Sequence, residues 1–346
     1  MTGGAWRRIA VAVAAGVVLA GCGESSSPPP PSEPPPEPVA MELPGARPPG
    51  AHGQLDTASN PDWMGALPDD RPLSRMSIPG THDTLSIHGG RAGPAVVTQE
   101  GFDTGCADAN CISRQSLRVQ LEAGIRALDI RVRRDEADAL AVHHGSFYQQ
   151  ANLDDVLGVV DDFLTRHPGE TVLMRVKAEC GAEGIPFGCV DAGGVKPDLA
   201  RIDRALASSP RIWLPSATGR AEIPPLREVR GRIVITQFAG VDRGETRGLP
   251  LDEQDLWDGP DRETKWAAIA AHLDKAATAP PSTLTVNYLS ANGAPDPTKL
   301  PTRYASYENQ HTLDHLRSRP GAPAGVLMTD FPGPALVSEI VRHNVA

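Results

Sequence analysis

Aromatic residues make up only 4% of this chain, no run of basic residues occurs, and no stacked aromatic pattern is present. A groove for a nucleic-acid backbone is thereby excluded, because such grooves need a positive stripe and stacking faces. The 346 residues carry 43 acidic against 33 basic side chains, a net charge of -10. That balance weakens general attraction to anionic lipid, so contact with a membrane has to be local or tethered. Apolar runs long enough to span a bilayer are missing too. The stretch Ile9 to Ala20 is too short and too poor in large apolar residues. Cysteine is scarce, with five in all, and the spacings do not form paired CxxC knuckles.

What is present sorts the chain into three parts. Arg7-Arg8, the apolar run and Leu19-Ala20-Gly21-Cys22 read as an export signal over residues 1–21. Its end resembles a bacterial lipobox, with Cys22 as the lipidated first residue of the mature protein; the alternative is an ordinary cleaved signal with an incidental cysteine. Residues 22–61 are mostly Pro, Ser, Glu and Gly and predict an extended, disordered tether. From Asp62 to the C-terminus, apolar strand-like runs alternate with helical patterns. Strands are expected near Met76–Thr81, Ala127–Arg133, Leu140–His144, Thr171–Val176, Arg232–Phe238, Thr283–Leu289 and Gly325–Met328. Helices are expected at Leu117–Ala123, Leu153–Leu164, Asp198–Ser208, Glu263–Ala277 and Ser306–Arg317. The alternation predicts an α/β fold, a TIM-type (β/α) barrel, irregular or incompletely closed, forming a single catalytic domain.

If Cys22 is lipidated, four cysteines remain in an exported chain. Cys106 with Cys111, and Cys180 with Cys189, bracket short loops and predict two local disulfides; a zinc site is the alternative.

Chemistry concentrates at strand ends. Met76-Ser-Ile-Pro-Gly-Thr-His-Asp83 is an apolar strand that breaks at Pro79-Gly80 and then presents His82 and Asp83. Ala127-Leu-Asp-Ile-Arg-Val-Arg133 alternates charge with apolar residues, and Leu140-Ala-Val-His-His-Gly145 ends in imidazoles. Two histidines, an arginine and nearby carboxylates suit metal-free cleavage of a phosphodiester. One imidazole removes a proton from a hydroxyl nucleophile, the other protonates the departing oxygen, and the guanidinium stabilises charge on the phosphoryl oxygens.

These motifs, in this order, resemble the X-domain signature of bacterial phosphatidylinositol-specific phospholipase C. Pro168-Gly-Glu-Thr-Val-Leu-Met-Arg-Val-Lys-Ala-Glu179, Arg230-Gly-Arg-Ile-Val-Ile235 and Val326-Leu-Met-Thr-Asp-Phe331 extend the likeness from about residue 62 to the C-terminus. The resemblance implies cleavage of phosphatidylinositol to diacylglycerol and inositol 1,2-cyclic phosphate, and it extends to glycosylphosphatidylinositol anchors. It implies His82 as general base oriented by Asp330, His144 as general acid partnered by Asp83, and Asp129 as a further active-site carboxylate. Lys177 and Glu179 match inositol contacts, and Asp258 is a further candidate. Arg131 stands where calcium-dependent relatives place a metal-binding acid, so no metal or other cofactor is expected. His143 is assigned a structural role.

One departure bears on the headgroup. The family has a basic residue after the strand that reads Ile235-Thr-Gln-Phe238 here, which leaves Phe238 at an expected basic position. Trp63, Trp257 and Trp266 are the candidates for bilayer contact. Two other readings stay open: a metal-dependent glycerophosphodiesterase or sphingomyelinase D on a related barrel, and a catalytically idle X-domain used as a binding module. The expected partners are an inositol phospholipid and a membrane surface, with no nucleic acid, for a monomer exported to the cell envelope as an anchored lipoprotein or secreted.

Overall fold

The structure, a computed structural model, describes residues 50–100, 113–179, 197–215, 222–244 and 247–345. The expected signal, most of the tether, Cys22 and the four remaining cysteines (Cys106, Cys111, Cys180 and Cys189) lie outside the described residues.

Among the described residues ten strands are present: β1 (Ser77–Thr81), β2 (Ala127–Arg134), β3 (Leu140–His144), β4 (Phe147–Asn152), β5 (Val172–Ala178), β6 (Ile212–Trp213), β7 (Ile233–Ala239), β8 (Leu251–Gln254), β9 (Leu284–Tyr288) and β10 (Gly325–Thr329). The helices are α1 (Ser113–Ala123), α2 (Leu153–Arg166), α3 (Leu199–Leu206), α4 (Leu226–Val229), α5 (Arg262–Thr278), α6 (Pro301–Ser318) and α7 (Pro334–Arg342). Local chemistry sets their ends. Asn152 and Asp155 form a capping box that starts α2, whose Val156, Val160, Phe163 and Leu164 then fall on one buried face. Helix α6 begins five residues before the expected Ser306, at Pro301, because proline at the first helical position is already in helical φ and lacks only an N–H that no carbonyl would accept.

Eight strands form one curved parallel sheet in the order β6-β7-β5-β2-β1-β10-β9-β8. Among the described residues no strand pairing joins β6 or β7 to β8, so the barrel is incompletely closed, as the sequence predicts. The opening is bridged instead by Leu249 N–H donating to Thr236 O (2.9 Å) and by Gln237 Nε2 donating to Glu253 (3.0 Å).

Strand alternation decides what faces inward. Ile78, Ala127, Leu173, Val234, Leu284, Val286, Val326 and Met328 fill the lower interior with apolar side chains. Only a cavity of about 20 Å³ remains there, room for about one water. Gly80 is required at this level, since a Cβ would lie 2.8 Å from the Ala127 Cβ and 2.7 Å from the Met328 sulfur. One step further along the same faces the interior turns polar, with His82, Asp129, Arg131, Arg175, Lys177 and Asp330. That change from apolar floor to charged mouth places the site at the C-terminal ends of the strands.

The hairpin departs from expectation. The sequence reads Leu140–His144 as another barrel strand, but β3 runs antiparallel to β2, and β4 antiparallel to β3. Strand β1 pairs with β2 only through Gly80 and Thr81, opposite Ala127 and Leu128. Beyond them the edge of the longer β2 is taken over by β3, with Val132 opposite Val142. His144 therefore reaches the barrel mouth from above, on a ribbon that folds back over it.

Candidate active site

The end of β1 is turned by a neighbouring carboxylate. His82 N–H donates to Thr329 O (3.0 Å) and so extends the pairing with β10, while Asp83 takes a left-handed backbone (φ 41°) and donates its N–H to Asp129 Oδ2 (3.1 Å). Thr84 locks the turn: its N–H goes to Asp129 O and its hydroxyl donates to Thr81 O while accepting Asp129 N–H. Consecutive residues thereby point His82 toward β10 and Asp83 toward β3.

His82 sits between Asp330 and Arg131. Its Nδ1 lies 2.9 Å from Asp330 Oδ1, and Arg131 Nη2 donates to Nε2 at 2.5 Å. A guanidinium has no acceptor, so Nε2 must carry the lone pair and Nδ1 the proton, which Asp330 then accepts as a carboxylate. Burial first, and the Arg131 charge second, hold His82 well below its usual value, which keeps it neutral. Burial, followed by the charge of Asp83, pushes the Asp330 carboxyl up, and Arg131 opposes that rise.

Across the mouth, His144 Nδ1 lies 2.8 Å from Ser86 Oγ and 2.9 Å from Asp83 Oδ2. The Ser86 hydroxyl donates to Val96 O, so its oxygen is the acceptor of the His144 Nδ1 proton. Neither Asp83 oxygen is aligned for a hydrogen bond, which makes the Asp83 contact an ion pair at close range and Ser86 the directional partner. With Nδ1 protonated, Nε2 is the atom left to exchange a proton.

Arg131 gathers the carboxylates. Its Nε and Nη2 each approach Asp129 Oδ2 at 2.9 Å, and Nη1 lies 3.5 Å from Asp83 and 3.8 Å from Glu179. Burial by itself would raise Asp129, but Arg131 and Arg175 reverse this and hold it well below the usual carboxylate range. Glu179 is likewise lowered, against its burial, by Arg131 and Lys177; it accepts Gly145 N–H (2.8 Å) and lies 3.5 Å from Lys177 Nζ. Among the described residues no group of three histidine, cysteine, aspartate or glutamate side chains is arranged to hold a metal ion.

His82, Asp83, Asp129, Arg131, His144, Lys177, Glu179 and Asp330 thus meet in one cluster, whereas Asp258 does not join it. That residue is exposed after β8, with its backbone bridged to Asn292. His143 faces away from the mouth, as alternation requires; burial and Arg133 push it down to about 4.

Phe238 needs a correction. A register shift between Met174 and Arg175 slips the β5–β7 pairing, so Gln237 turns toward the mouth and Phe238 packs fully buried in the outer core. The cation near this position comes from the next strand: Arg175 Nε donates to Gln237 (2.9 Å) and Nη1 to Asp129 Oδ1 (2.9 Å), with the guanidinium 5.6 Å from the Tyr288 ring centre. Tyr288 meets His82 edge-on, 6.1 Å between ring centres. Sequence reasoning missed Ser86, Arg175 and Tyr288. Arg175 carries a usable signal, since it lies two residues before Lys177 on the same strand face.

Of the tryptophans, Trp63 is buried with its indole N–H on Gly124 O, and Trp266 packs against His311 and His315. Leu256 and Trp257 stand exposed after β8, as does Tyr148 on the hairpin.

Comparison with known proteins agrees with this geometry. Residues 109–185 match the family model of the phosphatidylinositol-specific phospholipase C X domain. The 1-phosphatidylinositol phosphodiesterase of Listeria monocytogenes is 29% identical over 307 residues, covering 84% of this chain and 86% of that protein. Its counterpart in Staphylococcus aureus is 25% identical over 327 residues, covering 85% and 97%. Among solved structures, the phosphatidylinositol-specific phospholipase C of L. monocytogenes superposes with a TM-score of 0.66 at 26% identity, over 83% of this chain and 99% of that one. Family model, relatives aligned over most of their length and barrel point the same way: the chain is similar to the phosphatidylinositol-specific phospholipases C of the X-domain family.

Proposed function

We propose that this protein cleaves the phosphodiester of phosphatidylinositol by metal-free acid–base catalysis. The observation that carries the reading is that Nδ1 of each imidazole is engaged, on Asp330 for His82 and on Ser86 beside Asp83 for His144, which leaves Nε2 of both rings at the mouth to exchange a proton. In the first step His82 Nε2 removes the proton of the inositol 2-hydroxyl, whose oxygen attacks phosphorus. The bond from phosphorus to the glycerol oxygen breaks, and that oxygen takes a proton from Nε2 of the His144 imidazolium, the form protonated on both nitrogens and ion-paired with Asp83. Diacylglycerol leaves and inositol 1,2-cyclic phosphate remains; water attacking the cyclic ester with the roles reversed gives inositol phosphate. In the free protein the Arg131 N–H covers His82 Nε2. Substrate exchanges that contact for two others, hydroxyl to Nε2 and guanidinium to phosphoryl oxygen, so the base is uncovered only when the charge stabiliser is engaged. Arg131, between three carboxylates, supplies the positive charge that a cation would otherwise bring.

The test is phosphorus NMR on phosphatidylinositol micelles with excess chelator. Cyclic inositol phosphate appearing at an undiminished rate is the expected result, and a requirement for added calcium would overturn the assignment of Arg131.

Export and anchoring belong to the same reading, carried by the lipobox-like Leu19-Ala-Gly-Cys22. Incorporation of labelled palmitate that Cys22→Ser abolishes is expected in a bacterial host; labelling that persists would overturn it. Exposed Leu256 and Trp257 at the rim suit contact with lipid headgroups and acyl chains. Trp257→Ala is expected to lower the rate on vesicles about tenfold while sparing dispersed short-chain substrate. Equal losses on both would show a structural effect instead.

A further inference from the structure

Behind the mouth, on the outer side of β9 and β10, α5 and α6 bury a polar cluster that the mechanism above does not use. Lys265 on α5 is fully buried, and its ammonium donates to Tyr288 O at 2.6 Å, at the last residue of β9. Asn309 on α6, also fully buried, donates to Asp330 O (2.9 Å) and Phe331 O (3.3 Å), just past β10. Each helix thus sends one side chain to the end of a strand whose residue flanks His82. The grip at Phe331 matters because a bulky residue there has φ 43°, a conformation held only when its surroundings fix it.

Beside Lys265 lies Glu308, fully buried, with neither carboxyl oxygen hydrogen-bonded to protein. Burial pushes Glu308 up to about 8, so its side chain is mostly neutral at pH 7, while burial brings Lys265 down to about 8 and leaves it mostly charged. The charged and titratable groups facing Lys265 are Asp255 after β8, Glu308 on α6 and Asp330 after β10. Those facing Asp330 are His82 and Asp83 just after β1, Asp129 and Arg131 from β2, and Lys265. Burial and the Asp83 carboxylate beside it push the Asp330 carboxyl up, and two cations oppose that rise, Arg131 and, behind the barrel wall, Lys265.

We infer that Lys265 is a positioning residue of the reaction: its buried ammonium fixes the end of β9 and, from behind, sustains the negative charge of Asp330 that keeps the proton on Nδ1 of His82. This rests on the reading of His82 as base. Removing the ammonium makes the His82–Asp330 pair take up a proton more readily, so the acid limb of the rate profile moves to higher pH. Glu308→Gln, which copies the neutral form of that side chain, leaves the limb where it is.

The experiment is the pH dependence of kcat/KM on phosphatidylinositol micelles for wild type, Lys265→Met, Lys265→Arg and Glu308→Gln, with circular dichroism to confirm folding. Lys265→Met is expected to raise the acid-limb midpoint by about one pH unit, a tenfold loss on the acid side. Lys265→Arg should return most of that shift. An unmoved limb in Lys265→Met overturns the inference, and so does a limb that Glu308→Gln moves equally, because packing would then be responsible. If Lys265→Met does not fold, Lys265→Arg and Glu308→Gln carry the same comparison, and an Arg variant shifted no less than expected for Met overturns it. Wild type that forms no cyclic phosphate would instead refute the functional reading itself.

Discussion

His82→Ala should lower turnover of phosphatidylinositol by about 10³–10⁴-fold, and no change of leaving group should restore it. His144→Ala should lose a similar factor on the natural lipid yet recover most of it on an inositol phosphate ester of a nitrophenol. The contrast follows from the proton inventory. His82 Nε2 is unprotonated because Arg131 donates to it, so it can only accept a proton, and the inositol hydroxyl needs that acceptor whatever leaves. His144 keeps Nδ1 protonated on Ser86 and Asp83 and serves the departing oxygen, which in a nitrophenolate is stable without a proton. Since His82 is held well below 6.5, the rate should also stay level as pH falls through 6.5 and drop only lower down. Steady-state rates on both substrates across pH decide this. Rescue of His82→Ala by the better leaving group would reverse the two assignments.

Much of this site was legible because strand alternation and a strand break are local signals. Asp129 and Arg131, two residues apart, had to share a face, and the break after Pro79-Gly80 had to release His82 and Asp83 at the strand end. The hairpin was also legible in principle. Only Asp135–Ala139 separate β2 from β3, far too few for a parallel crossover, and Asp135 accepts the N–H groups of Ala137 and Ala139 to close the turn. The slip that exchanged Gln237 for Phe238 was not legible, because it depends on how β7 meets β5. Lys265 was hidden for a different reason. On a sequence it reads as one more solvated helix lysine, and only the packing of α5 against β9 turns it inward.

Stability of the barrel and function of the site draw on the same interior charges, which is why one residue should affect both. Arg131→Ala should lower kcat/KM by roughly 10²–10³-fold, the loss typical of removing one preorganised donor from a developing oxyanion. Lysine at this position restores charge but not the planar fork, and should recover only part of the rate. The same substitution leaves Asp129, Asp83 and Glu179 buried without their shared guanidinium, and loss of one partner from a buried ion cluster destabilises by roughly 3–5 kcal/mol. Arg175 stays bonded to Asp129 Oδ1 at 2.9 Å and limits the damage on that side. The sign with pH is set by Asp129, whose folded value is depressed. Its contribution to stability is fully present above the unfolded carboxyl value of about 3.9 and is lost as pH falls toward the folded one. Arg131→Ala raises the folded value toward the unfolded one, so the gap between variant and wild type should be widest near neutrality and shrink below about pH 4. Urea unfolding at pH 7 and again near pH 3.5 measures it. A gap that stays constant with pH would mean that Arg131 stabilises the barrel by packing its stem, not by holding the carboxylates charged.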